Sequence, residues 1–152
     1  MTAQQALSRL GLTLPEPPAP VGSYVAGIRT GSLVMTSGQL PFADGKLMHP
    51  GHVGGEVSLE QAQACAKQAA LNALAVAGQI AGGLDRIRQV VRVAVYVASA
   101  PGFNDQPKVA NEASDLLVQI FGDAGKHVRA AIGANELPLN TCVELELVVE
   151  AD

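Results

Sequence analysis

A long alanine-rich helix is the feature of this sequence that most restricts its fold. Ser58 can cap the first turn while Gln61, three residues later, reaches back in a capping box, and Gly82-Gly83 ends the pattern. Between these limits, residues recur at helical spacing at Leu59, Ala62, Ala66, Ala69, Ala70, Ala73, Ala77 and Ile80. A face made mostly of alanine predicts close packing on a flat partner such as a β-sheet.

Strand patterns flank this helix on both sides. A second helix, capped by Asn104 or Asp105 and ended by Gly122, carries a buried apolar stripe from Val109 to Phe121. The order strands, helix, strand, helix, strands predicts an α+β fold with two helices on one face of a mixed sheet. The predicted strands are Tyr24 to Arg29, Leu33 to Ser37, Ile87 to Val97, Val128 to Ala134 and Thr141 to Val149.

The chain is expected to form one domain, because 152 residues suffice for a single core. Residues 1–20 are predicted to form a short helix, Thr2 to Leu10, followed by a proline-rich extended arm. The single compact domain is then expected to span residues 21–152, starting near Val21. Within it, residues 41–55 are predicted to be a loop with a short strand near Lys46.

Charge and composition disfavour several classes of function. The net charge is −4 with only ten Lys and Arg residues, so no nucleic-acid partner is expected. No segment predicts a membrane span, and Cys65 and Cys142, without a signal peptide, fit the reducing cytoplasm. A 48% hydrophobic content with 16% charged residues indicates an oligomer. His49 and His52 flank a Pro-Gly turn with no nearby Cys or acid to complete a ligand set, so no metal site is predicted.

Arg129 is a charged residue in a segment whose other residues are typical of a buried strand. Fifteen residues on, Glu144 lies in a strand where glutamates alternate with apolar residues. We expect the two strands to adjoin, so that a guanidinium and a carboxylate hold a small acid and activate a water. The same patterns also fit plain structural roles. The glutamates would then form a solvent-exposed face of the sheet, and the arginine would lie at the surface or in an ion pair.

Several short motifs, at preserved intervals between Val21 and Glu150, resemble those of one family. They are Gly22-Ser23-Tyr24, Thr36-Ser37-Gly38-Gln39, Asn111 ahead of Phe121-Gly122, Arg129, Leu137-Pro138 and Val143-Glu144-Leu145-Glu146. Together they resemble the RidA (YjgF) family of reactive intermediate imine and enamine deaminases, also called the endoribonuclease L-PSP family. The resemblance implies a chorismate-mutase-like subunit in a homotrimer, with sheets lining a central barrel and three sites between subunits.

The resemblance also implies a role for each matched residue. Arg129 would bind the carboxylate of a 2-imino or enamine acid, and Glu144 would position the water that hydrolyses it to a 2-oxo acid and ammonia. A guanidinium suits this task because it stays charged and binds a planar carboxylate through two hydrogen bonds. No metal or organic cofactor is expected. The other residues expected to line the site are Tyr24, Ser37, Gly38, Asn111 and Ala131.

Two departures from the family pattern leave a second hypothesis open. His127 stands where the family commonly has proline, and Ala130 where it commonly has a hydroxyl residue. The alternative is therefore a non-catalytic homotrimer that binds small carboxylates or a partner protein. A ribonuclease is disfavoured by the acidic charge and by the presence of only two tyrosines. Plain structural roles also fit four of the lining residues, Tyr24, Ser37, Gly38 and Asn111.

Overall fold

A computed structural model describes residues 1–20 and 22–152 of the chain. Val21, where the sequence predicts the start of the compact domain, lies outside the described residues. The helices are α1 (Ala3–Arg9), α2 (Leu59–Ala81) and α3 (Gln106–Phe121). The strands are β1 (Gly27–Thr30), β2 (Leu33–Thr36), β3 (Phe42–Ala43), β4 (Lys46–Leu47), β5 (Ile87–Ala98), β6 (Val128–Ala134) and β7 (Val143–Ala151).

Five of the strands form one mixed sheet in the order β1-β2-β7-β5-β6, while β3 and β4 form a separate two-stranded ribbon. β5 and β6 pair in parallel, whereas the other neighbours in the large sheet are antiparallel. A parallel pair needs a crossover connection, and α3 supplies it. The predicted α+β class and mixed sheet are therefore confirmed.

The alanine face of α2 packs as predicted. Ser58 and Gln61 form the capping box, and Gly82 ends the helix with a φ of 88°, a left-handed conformation that favours glycine. The apolar stripe of α3 is buried as well, and α2 and α3 pack against each other on one face of the sheet. Asp105 directly precedes α3, but its side chain makes no capping hydrogen bond.

A third helix extends this layer. α1 begins at Thr2, which forms a capping box with Gln5, and it packs against α3 with Leu7 fully buried. Hydrophobic burial thus ties the N-terminal helix to the core formed by the rest of the chain. Within residues 1–20 and 22–152, no helix is long and apolar enough to cross a bilayer.

The two faces of the sheet differ sharply. The apolar residues of β7 alternate with glutamates, and Val143, Leu145, Leu147 and Val149 are buried under the helices. The opposite face, which we call the open face, has no helical layer in the described part of the chain. It carries the alternate residues of β7, including Glu144 and Glu146, and three exposed apolar side chains, Val128 (66%), Ile28 (57%) and Ile132 (49%). Val128 and Ile132 lie together on the edge strand β6, and exposed apolar patches of this kind are typical of subunit interfaces.

Candidate functional site

A cleft of about 840 Å³ opens beside Glu144. Its walls come from the proline-rich arm, from the segment that follows β2, and from the turn that precedes β7. Four residues predicted for the site, Tyr24, Ser37, Gly38 and Glu144, line this cleft together. The fold therefore gathers about half of the predicted site in one cavity.

The backbone at Gly38 allows the Glu144 carboxylate to lie directly against it. A Cβ atom added at position 38 would overlap the Glu144 side chain. The neighbouring Ser37 hydroxyl donates a hydrogen bond to the Val25 carbonyl at 2.6 Å. This bond fixes the segment that carries Tyr24, so Ser37 shapes the cleft by holding one of its walls.

The environment of Glu144 favours its protonated form more than water does. Burial raises the pKa of this carboxyl, and the negative charge of Glu146 raises the pKa further. Tyr96, which pairs with Glu144 across the sheet, has a raised pKa caused first by burial and then by its hydrogen bond to Glu146. A carboxylate whose pKa lies above the ordinary glutamate value accepts a proton more readily, as a general base requires.

Arg129 lies in a different cluster, against α3. Its Nη1 donates to Asn111 Oδ1 at 2.9 Å and to Ser114 Oγ at 3.2 Å. Ser114 Oγ lies 2.9 Å from His127 Nε2, and His127 Nδ1 lies 2.6 Å from the Gly125 carbonyl oxygen. Because a carbonyl only accepts, neutral His127 carries its proton on Nδ1, and its Nε2 accepts from the Ser114 hydroxyl. A directed chain of hydrogen bonds therefore runs from the guanidinium through Ser114 and His127 to the Gly125 carbonyl.

These contacts leave one edge of the guanidinium available. Both hydrogens of Arg129 Nη1 are used by α3, and no residue in the described part of the chain accepts from Nε or Nη2. The Nε–Nη2 edge presents two parallel N–H donors whose geometry matches a carboxylate. The cluster thus holds Arg129 in an orientation suited to bidentate binding of a small acid.

Arg129 and Glu144 do not lie on adjoining strands, and the expectation from the sequence is wrong on this point. β5 separates β6 from β7, so the two strands are about 10 Å apart across the sheet. Arg129 pairs with Val93, which is buried under the helices, whereas Glu144 pairs with Tyr96, three residues further along β5. Side chains an odd number of residues apart on a strand point to opposite faces of the sheet, so Arg129 and Glu144 project from opposite faces. The two side chains of one chain therefore cannot contact the same small ligand.

The remaining predicted site residues both lie on the Arg129 side. Asn111 belongs with Arg129, and Ala131 follows Arg129 on the same face of β6, where it packs partly against the core. Ser114 and the arm were not predicted to take part. The signal for Ser114 is its spacing of three residues from Asn111, which puts both on one helix face.

His52 does have acidic neighbours, contrary to the expectation from the sequence. Its Nε2 lies 2.7 Å from the Asn135 carbonyl oxygen and 3.3 Å from Glu136, and its Nδ1 lies 3.7 Å from Glu56. The Asn135 carbonyl is the main cause that raises the pKa of His52, with the two carboxylates adding to it. Among the described residues, no group of three or more His, Cys, Asp or Glu side chains is arranged to hold a metal ion.

Comparison with known proteins identifies the family. Residues 4–151 match the family model described as YjgF/chorismate mutase-like, "putative endoribonuclease". Protein TCP17 of Trypanosoma cruzi is 39% identical over 145 residues, which cover 95% of this chain and 91% of that protein. A crystal structure from Shewanella oneidensis, also described as an endoribonuclease, matches with a TM-score of 0.95 at 37% identity and covers 99% of each chain.

A protein named RidA shares the fold more distantly. RidA from an Antarctic Psychrobacter matches with a TM-score of 0.63 at 26% identity, over 89% of this chain and 94% of that one. The family model spans nearly the whole chain, including α1 and the arm. This chain therefore belongs to the YjgF/chorismate mutase-like family, which includes the RidA proteins that its motifs resemble.

Proposed function

We propose that the protein hydrolyses reactive 2-imino or enamine acids to 2-oxo acids and ammonia, at sites between the subunits of a homotrimer. The observation that carries the proposal is the available Nε–Nη2 edge of Arg129, which Asn111 and Ser114 orient. Two parallel N–H donors bind a carboxylate through charge-assisted hydrogen bonds. A substrate with a carboxylate next to its reacting carbon is the class that this edge suits best.

Two subunits are required because Arg129 and Glu144 of one chain project from opposite faces of the sheet. A contact between two different surfaces of the same chain is heterologous, and it closes into a ring when the rotation permits. Val128 and Ile132, exposed on the edge strand that carries Arg129, supply apolar area for such a contact. In the proposed trimer, Arg129 of one subunit enters the cleft that contains Glu144 of the next.

The chemistry then follows from the two charged groups. With the substrate carboxylate on Arg129, the imine carbon faces a water held by Glu144. Glu144 takes a proton from the water as the water oxygen bonds to the imine carbon, and it passes this proton to the imine nitrogen. Glu144 then transfers the proton of the new hydroxyl to the same nitrogen as the carbon–nitrogen bond breaks, which leaves a 2-oxo acid and ammonia. Proton transfer by a positioned carboxylate contributes about 10²–10⁴-fold.

The test measures ammonia release from a dehydroalanine-type and a branched 2-imino acid. Arg129→Ala is expected to lower kcat/KM strongly for both substrates, while Arg9→Ala, an exposed arginine of α1, is a matched control. Glu144→Gln is expected to lower kcat and to leave binding of 2-oxo acids largely intact, with the exposed Glu60→Gln as its control. Equal rates for wild type and Arg129→Ala would refute the assignment.

The same assay separates this proposal from two others. Saturable binding of 2-oxo acids without turnover of any imine would favour a non-catalytic trimer that binds carboxylates. An endoribonuclease activity, which the family description names, needs a surface that accepts phosphates. The charged residues that line the cleft are Glu16, Asp44 and Glu144, and this acidic set disfavours RNA. RNA cleavage that required Arg129 after stringent repurification would reverse this ranking.

A further inference from the structure

The cleft beside Glu144 is larger than a small imino acid requires. Its volume of about 840 Å³ lies near the upper end of the range for small-molecule sites, about 300–1,000 Å³. A three-carbon imino acid fills only a small part of such a space. Pro15 and Pro18 of the arm and the exposed Leu139 also line this cavity.

Much of the cleft lining is apolar. Pro15, Pro18, Leu40, Phe42 and Leu139 contribute to its walls. Two buried amides line the cleft. Gln39 Nε2 donates to the Ser37 carbonyl at 3.3 Å. The second amide, Asn72, has its polar atoms occupied within the chain. Its Nδ2 donates to the Leu40 and Phe42 carbonyls at 2.8 and 3.0 Å, and its Oδ1 accepts from Gln68 at 3.0 Å. A ligand in this region therefore meets mainly hydrocarbon.

The charge of the cleft excludes a second anionic group. Glu16, Asp44 and Glu144 line it, and no lysine, arginine or histidine does so among the described residues. A carboxylate in the side chain of a ligand would face these acids without a partner, and such repulsion disfavours binding. The single anion that the site accepts is the one that the partner subunit's guanidinium neutralises.

We propose that the arm-lined end of the cleft selects 2-imino acids with a bulky, uncharged apolar side chain. This inference rests on the proposed function, because Arg129 of the neighbouring subunit sets the end at which the substrate carboxylate binds. With the carboxylate there and the imine carbon beside Glu144, the side chain points toward Phe42, Leu139 and the arm. Small imines and imines with an acidic side chain are the disfavoured substrates.

The test is calorimetric binding of four 2-oxo acids, which are unreactive analogues of the imines: pyruvate, 4-methyl-2-oxopentanoate, phenylpyruvate and 2-oxoglutarate. Each methylene that moves from water to an apolar wall improves affinity roughly fourfold. Wild type is therefore expected to bind 4-methyl-2-oxopentanoate and phenylpyruvate at least about tenfold more tightly than pyruvate, since three or more carbons gain partial burial. Binding of 2-oxoglutarate is expected to be weaker than binding of pyruvate.

Two truncations test the walls, and a third is the matched control. Phe42→Ala and Leu139→Ala, both at exposed positions, are expected to reduce the affinity ratio of phenylpyruvate to pyruvate several-fold. Leu10→Ala, at an exposed leucine outside the cleft, is expected to leave that ratio unchanged.

The outcomes distinguish the inference from the function on which it rests. A wild-type ratio near one, or a ratio that neither cleft variant changes, would overturn the selection for bulky side chains. Preferred binding of 2-oxoglutarate would also overturn it. Failure of Arg129→Ala to weaken any of the four ligands would instead refute the proposed function, whatever the ratio.

Discussion

Replacing Ser114 with alanine is expected to weaken carboxylate binding about fivefold while leaving the fold intact. The substitution removes the acceptor that lies 3.2 Å from Arg129 Nη1 and the donor to His127 Nε2. A hydrogen bond to a charged group contributes about 1.5–3 kcal/mol. This bond is longer than the 2.9 Å bond from Arg129 to Asn111, which remains, so we take about 1 kcal/mol, or fivefold in affinity.

The assay is calorimetric binding of pyruvate and 4-methyl-2-oxopentanoate, together with thermal unfolding of the same samples. Alanine has a higher helix propensity than serine, so α3 is expected to form normally. Ser8→Ala in α1 is the matched control, because among the described residues the Ser8 hydroxyl bonds only to the Gln4 carbonyl. The loss should be similar for both ligands, because the guanidinium contacts the carboxylate that they share. Unchanged affinity, or a loss accompanied by a large fall in melting temperature, would refute the orienting role of Ser114.

Three further predictions concern the cleft. Gly38→Ala is expected to fold, because the Glu144 side chain can move aside, and circular dichroism checks this. The same variant is expected to lower kcat at least about tenfold, since a misplaced base loses general base catalysis, and ammonia release checks that. The pKa of Glu144 is raised by burial and by Glu146. On acidification, kcat/KM should therefore fall at a pH above the ordinary pKa of glutamate, because the base becomes protonated there. Glu146→Gln should move that fall to lower pH, since it removes one of the two causes, and a pH–rate profile that does not move would contradict it. Asn72→Ala should destabilise the chain by about 1–3 kcal/mol in urea titration, because the Leu40 and Phe42 carbonyls lose the side-chain amide that donates to both.

The secondary structure and one face of the sheet could be predicted from local patterns. Capping residues, glycine at helix ends and the alternation along β7 are signals carried by neighbouring residues, and α2 and β6 follow them closely. The order of strands is different, because it depends on which strands pair across the fold. The sequence did contain a signal for it: β5, α3 and β6 form a strand–helix–strand unit, which favours a parallel β5–β6 pair and so separates β6 from β7.

The site could be predicted only in part for the same reason. Family motifs identified Arg129, Asn111 and Glu144, but their division between two clusters depends on which sheet face each side chain takes. The roles of Ser114 and of the arm depend on contacts between segments far apart in sequence. Local periodicity carries no information about such contacts.

A complementation experiment tests the central claim most directly. Arg129→Ala and Glu144→Gln subunits with different tags would be expressed together, mixed trimers purified through both tags, and ammonia release measured. Each variant alone is expected to be nearly inactive. If each site takes Arg129 from one subunit and Glu144 from the next, every mixed trimer contains one intact site, so activity should return to about one third of wild type. Mixed trimers as inactive as the separate variants would contradict a site shared between subunits.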